Sequence, residues 1–530
     1  MANVTKVQLG GEESGEKEGY VQGLYASMES IRNNHLIRAR DCAKVTIPML
    51  VPPAGHGSAT KYPTPYQSVG ARGLNNLASK LLLALLPINS SFFKNQVDDE
   101  VLNQFDGVTR GDIELILSSI ERTVIADING STIRVSAFEM LKQLLVAGNV
   151  LTHLPPTGGM RVFRLERYVV RRDPMGNPLD IIVKETLAPA VLEEEVRVAC
   201  DVSEPSEGTA ESKAVDVFTH IERDPEVGGW EVYQEINGIE VPKSRGNYPI
   251  DKCPWMALRL ITVDGEDYGR SFVEEYLGDL KSLEGLSKAI LDGSAAMAKM
   301  LWMVNPNGTT NKKTIAAAAN NAVIEGNALD VTVLQAQKGG DFRVAQETVR
   351  DLTERLSRAF LLNSSIQRSG ERVTAEEIRY MANELEDALG GIYSVLTQEF
   401  LLPLLHREMI RLAKAKRIPS LPKGIVKPVI ITGIEAIGRN QDLEKLDLFT
   451  RDLMSLGQPA LAVLNMDELI KRRAALSGID TKNLIKTPEQ QQSEQQQAQM
   501  MALAQAATPN AVKGLSDGIN QQLAPPTQGM

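Results

Sequence analysis

Cysteine is scarce: three in 530 residues, Cys42, Cys200 and Cys253, far apart and in no metal-ligand or redox spacing. They read as free thiols in a reducing compartment rather than as a disulfide framework. Histidine is equally sparse. His35, His56, His153, His220 and His406 stand alone, and no H-E-x-x-H or comparable metal spacing occurs. A basic excess is also missing: 57 Lys and Arg against 67 Asp and Glu leave a net charge of -10. That balance argues against a generally basic nucleic-acid binder and leaves room only for focused basic features.

Long apolar runs are absent too. The most apolar stretch, LASKLLLALLP, is interrupted by Lys80 and stopped by Pro87, well short of the roughly 20 residues of a membrane span, so it reads as a buried helix. The N-terminal stretch is polar and acidic, so a secretory signal is not expected. Nucleotide chemistry lacks its signature: there is no G-x-x-x-x-G-K-[ST] loop and no dinucleotide fingerprint after a strand. A hydrolase elbow of the form G-x-S-x-G is missing as well. Paired acids such as Glu274 with Glu275, and Glu376 with Glu377, point to different parts of a helix surface and read as solvated. Catalysis is not expected, and neither is a cofactor or a bound metal.

What is present suggests three or four structural units, with 43% hydrophobic residues to build their cores. Residues 19 to 44 read as a helix, with Leu24, Met28, Ile31 and Leu36 at helical spacing. Val69, Leu74, Leu77, Leu81 and Leu85 form a wide apolar stripe from Tyr66 to Leu86, ended by Pro87. Further helices cover about 111 to 124 and 133 to 147. From 149 to 262 the pattern alternates as strands do, with one hairpin around DPMGNP and a second around DPEVGG. The segment between them, 193 to 212, reads as an exposed acidic loop.

Helical character returns at Gly269 for about 30 residues, or about 45 Å. This helix carries Gly278, Gly285 and Gly293, spaced seven and eight apart. Each costs about 1 kcal/mol relative to alanine, which suggests close approach of a neighbouring helix; the alternative is that they are tolerated accidents. Residues 303 to 343 lose helical length, with a turn-rich NPNGTTNKK, a strand at VTVLQAQ and a basic spot at Lys312 and Lys313. Helix resumes at about 344 to 362. The loop NSSIQRSGERV follows, carrying Arg368 and Arg372, and then a T-x-x-E capping box at Thr374 and Glu377 opens a helix that reaches Lys414 with Gly390, Gly391 and Pro403 as kink points. IPSLPKGIVKPVI marks a boundary, 434 to 478 reads as a small helical unit, and the Gln-rich tail from Pro488 lacks the material of an independent core. Bundling with copies of itself would supply one. The fold class is therefore α+β, predominantly α-helical.

Five collinear segments carry a resemblance: YPTPYQSVGARGLNNLASKLLLALLP, LKQLLVAGNVL, VDGEDYGRSFVEEYLGDLKSLEGL, the loop and helix from NSSIQRSGERV to YSVL, and GIEAIGRNQDLEKL. In that order they resemble the portal, or head-to-tail connector, family of short-tailed bacteriophages from about residue 20 to 485. The resemblance implies a ring of typically twelve subunits at one capsid vertex of the virion, assembled from chains in the host cytoplasm, through which double-stranded viral DNA is packaged and ejected. It implies a wing (1–268), a first stem helix (269–302), a clip (303–343), a second stem helix (344–362), a tunnel loop (363–373), a long wing helix (374–417), a crown (418–485) and a C-terminal barrel or flexible tail (486–530). The implied partners are the terminase, which supplies the ATPase, the tail adaptor, the major capsid and scaffolding proteins, and internal core proteins.

Under that resemblance the three glycines let stem helices pack around a channel. Arg368 and Arg372 form rings of charge that touch phosphates without reading bases. Lys312 and Lys313 face the docking partners of the clip. The alternatives are an ion pair of Arg368 or Arg372 with Glu371 and solvated surface lysines. A ring-forming scaffold without DNA passage, or a hydrolase acting through residues the motifs miss, are the rival functions.

Overall fold

The computed structural model describes residues 19–57, 59–87, 91–97, 110–202, 214–224, 228–297, 301–334, 339–362, 391–419, 426–430, 446–453, 455, 466–477 and 496–500. The chain divides into two compact units, one of Met1–Asp98 with Ile120–Gly438 and one of Asp99–Ser119 with Arg439–Met530. Within the second unit the described residues are helical, including Met466–Ser477.

At the centre of the first unit, helix Val69–Leu85 packs against helix Ile133–Ala147. Every residue of the apolar stripe read from the sequence, Val69, Leu74, Leu77, Leu81 and Leu85, is buried, and so are Leu141, Leu144, Leu145 and Val146 on the partner. Each such side chain contributes about 1.5–3 kcal/mol by leaving water. Helix Tyr20–Lys44 lies beside them. On it, Ile31 is exposed at 53%, whereas the polar Arg32 is buried at 2%. Arg32 is held by the Tyr25 hydroxyl (2.9 Å), the Glu166 carbonyl (2.8 Å) and the Glu29 carboxylate (2.6 Å). A guanidinium bonded through both of its terminal nitrogens takes the core-facing position that spacing alone assigned to an isoleucine.

The middle region is built of strands, as the alternation predicts. Strand β1 is Phe93–Val97, β2 is Asn149–His153 and β3 is Arg161–Phe163. The longer sheet holds β4 (Tyr168–Arg172), β5 (Pro178–Leu187), β6 (Val215–Asp224), β7 (Gly229–Ile236), β8 (Ile239–Glu240) and β9 (Gly246–Pro249), with β10 at Trp255–Arg259. Its order is β4-β5-β6-β7-β8, with β9 also on β7, while β10-β2-β3 form a separate sheet. Both expected hairpins form, β4 with β5 and β6 with β7, each antiparallel. In the first turn the Asp173 carboxylate accepts the Asn177 amide at 2.7 Å and Gly176 takes φ 87, the left-handed geometry this turn needs.

One face of the long sheet meets the first helix through Val21, Tyr25, Met28, Val169, Ile182 and Phe218. The helix starts at Gly19, which has no side chain to cap it. The Glu235 carboxylate does so from β7, accepting the amides of Val21 and Gln22, both at 3.0 Å. The acidic segment after β5 departs from its expected loop form: Glu194–Ala199 is a short helix that delivers Cys200 into a small core with Val202, Val217, Ile236 and Val241. The free thiols expected of Cys42, Cys200 and Cys253 are present and buried. No helix among the described residues is long and apolar enough to cross a membrane.

The helix expected over 269–302 is interrupted. Ser271 caps a short helix, Phe272–Glu275, through its hydroxyl oxygen, and after Tyr276 a second helix runs Leu277–Met297. A strand not foreseen from the sequence, β11 (Leu301–Val304), pairs antiparallel with β12 (Val331–Leu334), which the sequence did suggest. Helix Gly339–Ala359 begins five residues earlier than expected. Past the loop, Gly391 takes φ 93, helix Ile392–Leu396 opens into a π turn at Thr397–Leu401, and helix Leu402–Lys414 follows. Pro403 accounts for the π turn, since its ring cannot sit against the Glu399 carbonyl in an ordinary α turn. Strand β13, Val426–Ile430, pairs antiparallel with β1. The stretch read as a boundary thus supplies one strand of a two-stranded sheet in the first unit.

Candidate functional site

The residues expected to carry function fall on three connected pieces: the helix pair Leu277–Met297 and Gly339–Ala359, the β11–β12 sheet between them, and the exit from the second helix towards 363–373. The helices pack antiparallel through Leu280 and Leu283 on one and Leu352 and Leu356 on the other, all buried. Asp279 and Arg355 pair at 3.8 Å across them. Near the far end, Gly293 faces Phe342, whose ring would overlap any Cβ placed on Gly293. Gly278 and Gly285 differ: a Cβ on either would meet nothing within 4 Å in this chain. The structure therefore separates the three glycines, one used inside the chain and two open on its surface.

The first helix is held at its root. The Glu284 carboxylate accepts the amides of Tyr66 (2.9 Å) and Gln67 (3.2 Å), and Lys281 reaches Asp41 at 3.4 Å. Arg270 bonds both Glu266 (2.5 Å) and Glu274 (3.2 Å) where the chain enters it. By contrast, the outer surface of both helices carries exposed Leu291 (54%) and Val344 (65%).

Lys312 and Lys313 are exposed on a short helix, Lys312–Ala317, whose start is capped by the Asn311 side chain at 2.9 Å from the Lys313 amide. The turn beneath it is ordered by Asp330, which accepts from the Thr309 amide (2.8 Å) and the Thr310 amide and hydroxyl (both 3.2 Å). Met303, Val323, Ile324 and Leu329 are exposed here, and none of the described residues of this insertion joins the main core clusters.

Arg368 and Arg372, with Glu371, Thr374 and Glu377, lie outside the described residues. Their point of departure does not. Phe360 is fully buried, edge-on to Phe272 at 5.7 Å and tilted to Tyr276 at 6.0 Å. It fills the space a side chain would take at Gly73, where a Cβ would sit 2.6 Å from the ring. Leu361 adopts φ 54, a left-handed conformation that costs a non-glycine residue about 1–2 kcal/mol. The Leu362 amide bonds the Ser357 carbonyl at 2.8 Å and the Leu361 amide bonds the Arg358 carbonyl at 3.0 Å, a Schellman end to the helix with leucine where glycine is usual. From helix Val69–Leu85, the Asn76 side-chain amide donates to the carbonyls of Phe360 (3.1 Å) and Leu361 (2.9 Å), and the Lys80 ammonium to that of Leu361 (3.1 Å).

Sequence reasoning missed Asn76 and Lys80. The signal was visible: Lys80 lies one turn from Leu77 and Ala84 on the buried face, and a cation there requires acceptors. A second polar group, Asp180, His220 and Glu222, brings ligand-type atoms within 4.8 Å of one another. His220 already bonds Asp180 (3.3 Å) and Tyr233 (3.1 Å), and Arg171 Nε bonds Asp180 at 2.7 Å. These protein partners account for the cluster as a structural network within the sheet.

A helix pair thus leaves the α+β body and is joined by the two-stranded β11–β12 sheet. The chain matches the family model described as bacteriophage head to tail connecting protein over residues 18–485. It is 41% identical over 538 residues to the portal protein of Escherichia phage T7, covering 96% of this chain and 98% of that one. With the portal protein of Enterobacteria phage T3 it shares 42% over 516 residues, covering 96% and 95%. Identity to the portal protein of Enterobacteria phage SP6 is 30% over 511 residues, covering 95% and 97%. The chain belongs to the bacteriophage head to tail connecting protein family. Among solved structures, the neck of an empty gene transfer agent particle aligns with a TM-score of 0.31 at 14% identity, covering 72% of this chain and 86% of that one.

Proposed function

We propose that copies of this chain, twelve in the family's usual arrangement, form a ring at one capsid vertex whose axial channel passes double-stranded viral DNA during packaging and ejection. The observation that carries this reading is the near-full-length family match joined to a stem left largely uncovered in the single chain. Gly278 and Gly285 are open on that stem, where the helix of a neighbouring copy could approach closely. The stem comprises Leu277–Met297 and Gly339–Ala359, and the β11–β12 insertion serves as the clip on which a terminase and later a tail adaptor dock, with Lys312 and Lys313 on its surface. The chain acts as conduit and platform; the motor is a separate ATPase.

Arg368, and with it Arg372, supplies a light grip. One arginine per subunit becomes a ring of charge that meets phosphates from all sides and reads no base. Too many such contacts would hold DNA against movement, and the net charge of -10 suits a wall that does not adhere. Electron-microscopy class averages of the purified protein test the ring directly. An annular particle with a hole wide enough for duplex DNA is expected, and a stable monomer or closed dimer at high concentration would overturn the reading. Arg368→Ala should change DNA retention or packaging yield while leaving ring assembly intact.

A further inference from the structure

We propose that Lys80, Asn76 and Gly73 are positioning residues, forming a socket that fixes the place and direction in which the chain leaves the second stem helix after Leu362. The inference rests on the channel reading for its purpose and on described atoms for its geometry. Three features of one helix act on two consecutive residues. Gly73 admits the Phe360 ring, Asn76 bonds the Phe360 and Leu361 carbonyls at 3.1 and 2.9 Å, and Lys80 bonds the Leu361 carbonyl at 3.1 Å.

Stability alone does not account for this chemistry. Lys80 is only 6% exposed, on a face it shares with Leu77 and Leu81, where leucine or methionine would fill the volume without bringing a charge out of water. What an ammonium adds is attraction to the negative end of helix Gly339–Ala359, whose last carbonyls have no partners within the helix. Leu361 argues the same way. Glycine would take φ 54 without strain, yet the position holds a leucine whose side chain packs against the core. The left-handed turn is thereby locked to the body. Strained residues persist where their surroundings over-determine them, and they cluster at working parts of proteins. Here ring, amide, ammonium and left-handed backbone all specify one exit geometry.

The test uses full-length assembled rings of wild type, Lys80→Met, Leu361→Gly and Arg368→Ala. Amide hydrogen exchange is followed over 360–373, and the yield of DNA-filled particles is measured after supplying each variant to a phage lacking its portal. Lys80→Met and Leu361→Gly should form rings of wild-type size. Leu361→Gly should have an unfolding midpoint close to that of wild type, because relief of the left-handed strain offsets the loss of the leucine's packing against the core. Both should exchange faster over 360–373 and fill several-fold fewer particles. Wild-type exchange and filling in both variants would overturn the proposal. If Lys80→Met fails to assemble, Leu361→Gly decides alone, since it removes the leucine's core contact while keeping the backbone carbonyl that Asn76 and Lys80 bond. Faster exchange in the socket variants with normal filling in Arg368→Ala would keep the socket and sink the channel role of Arg368. Unchanged exchange with defective Arg368→Ala would do the reverse.

Discussion

The imidazole of His153 lies flat on the indole of Trp255, ring centroids 4.0 Å apart and planes 15° apart. Burial, and then the nearby Arg161 guanidinium, push its pKa from 6.5 down to about 4. The folded protein therefore keeps this ring neutral while the unfolded chain takes up a proton below about pH 6.5, so stability rises with pH across that interval. The contribution is fully present above pH 6.5 and is lost as pH falls towards 4, on the order of 2 kcal/mol for a partly exposed ring. His153→Phe should flatten that part of the stability profile, measured by denaturant unfolding from pH 4 to 7.

Gly285 and Gly293 should respond oppositely to the same change. Gly285→Leu adds a side chain where the single chain has open space, so the folded subunit is expected to keep its helix content and unfolding midpoint. Ring formation should fail, and intact rings on electron micrographs would refute the stem-packing role. Gly293→Leu must displace Phe342 within the chain and should cost about 1–3 kcal/mol through overpacking.

Phe360 is the largest anchor of the loop exit, and Phe360→Ala should destabilise the first unit by about 3–5 kcal/mol. Gly73→Ala attacks the same contact from the other side, because its methyl would overlap the ring. If the notch is what matters, Phe360→Leu should restore part of the midpoint lost in Gly73→Ala, a coupling that a double-mutant cycle measures.

Glu235 is 4% exposed and accepts two amides at the start of helix Tyr20–Lys44. Replacing it with alanine removes the remote cap and should cost about 1–2 kcal/mol. Faster exchange at Val21 and Gln22, with slow exchange retained at Leu36, would localise the loss to the helix start.

Much of this protein is legible without coordinates. The stripe Val69 to Leu85 marked a buried helix because a 3.6-residue period brings those side chains to one face. The two hairpins were marked by alternation around turn residues, and the order of five segments from about 20 to 485 pointed to the portal family. What the tertiary structure alone decided is what meets across long sequence separations. Spacing put Ile31 towards the core, yet the buried side chain is Arg32, satisfied by a carbonyl at position 166. Three glycines on one helix looked alike until Phe342 was seen to occupy the space beside Gly293. The strand β13 pairs with β1 more than 300 residues away in a two-stranded sheet, a pairing that no local pattern encodes because the fold of the intervening chain brings the two together. Lys80 showed itself in the sequence only as an interruption of an apolar run. Its role at the Leu361 carbonyl, 281 positions on, exists only once the two helices are packed together.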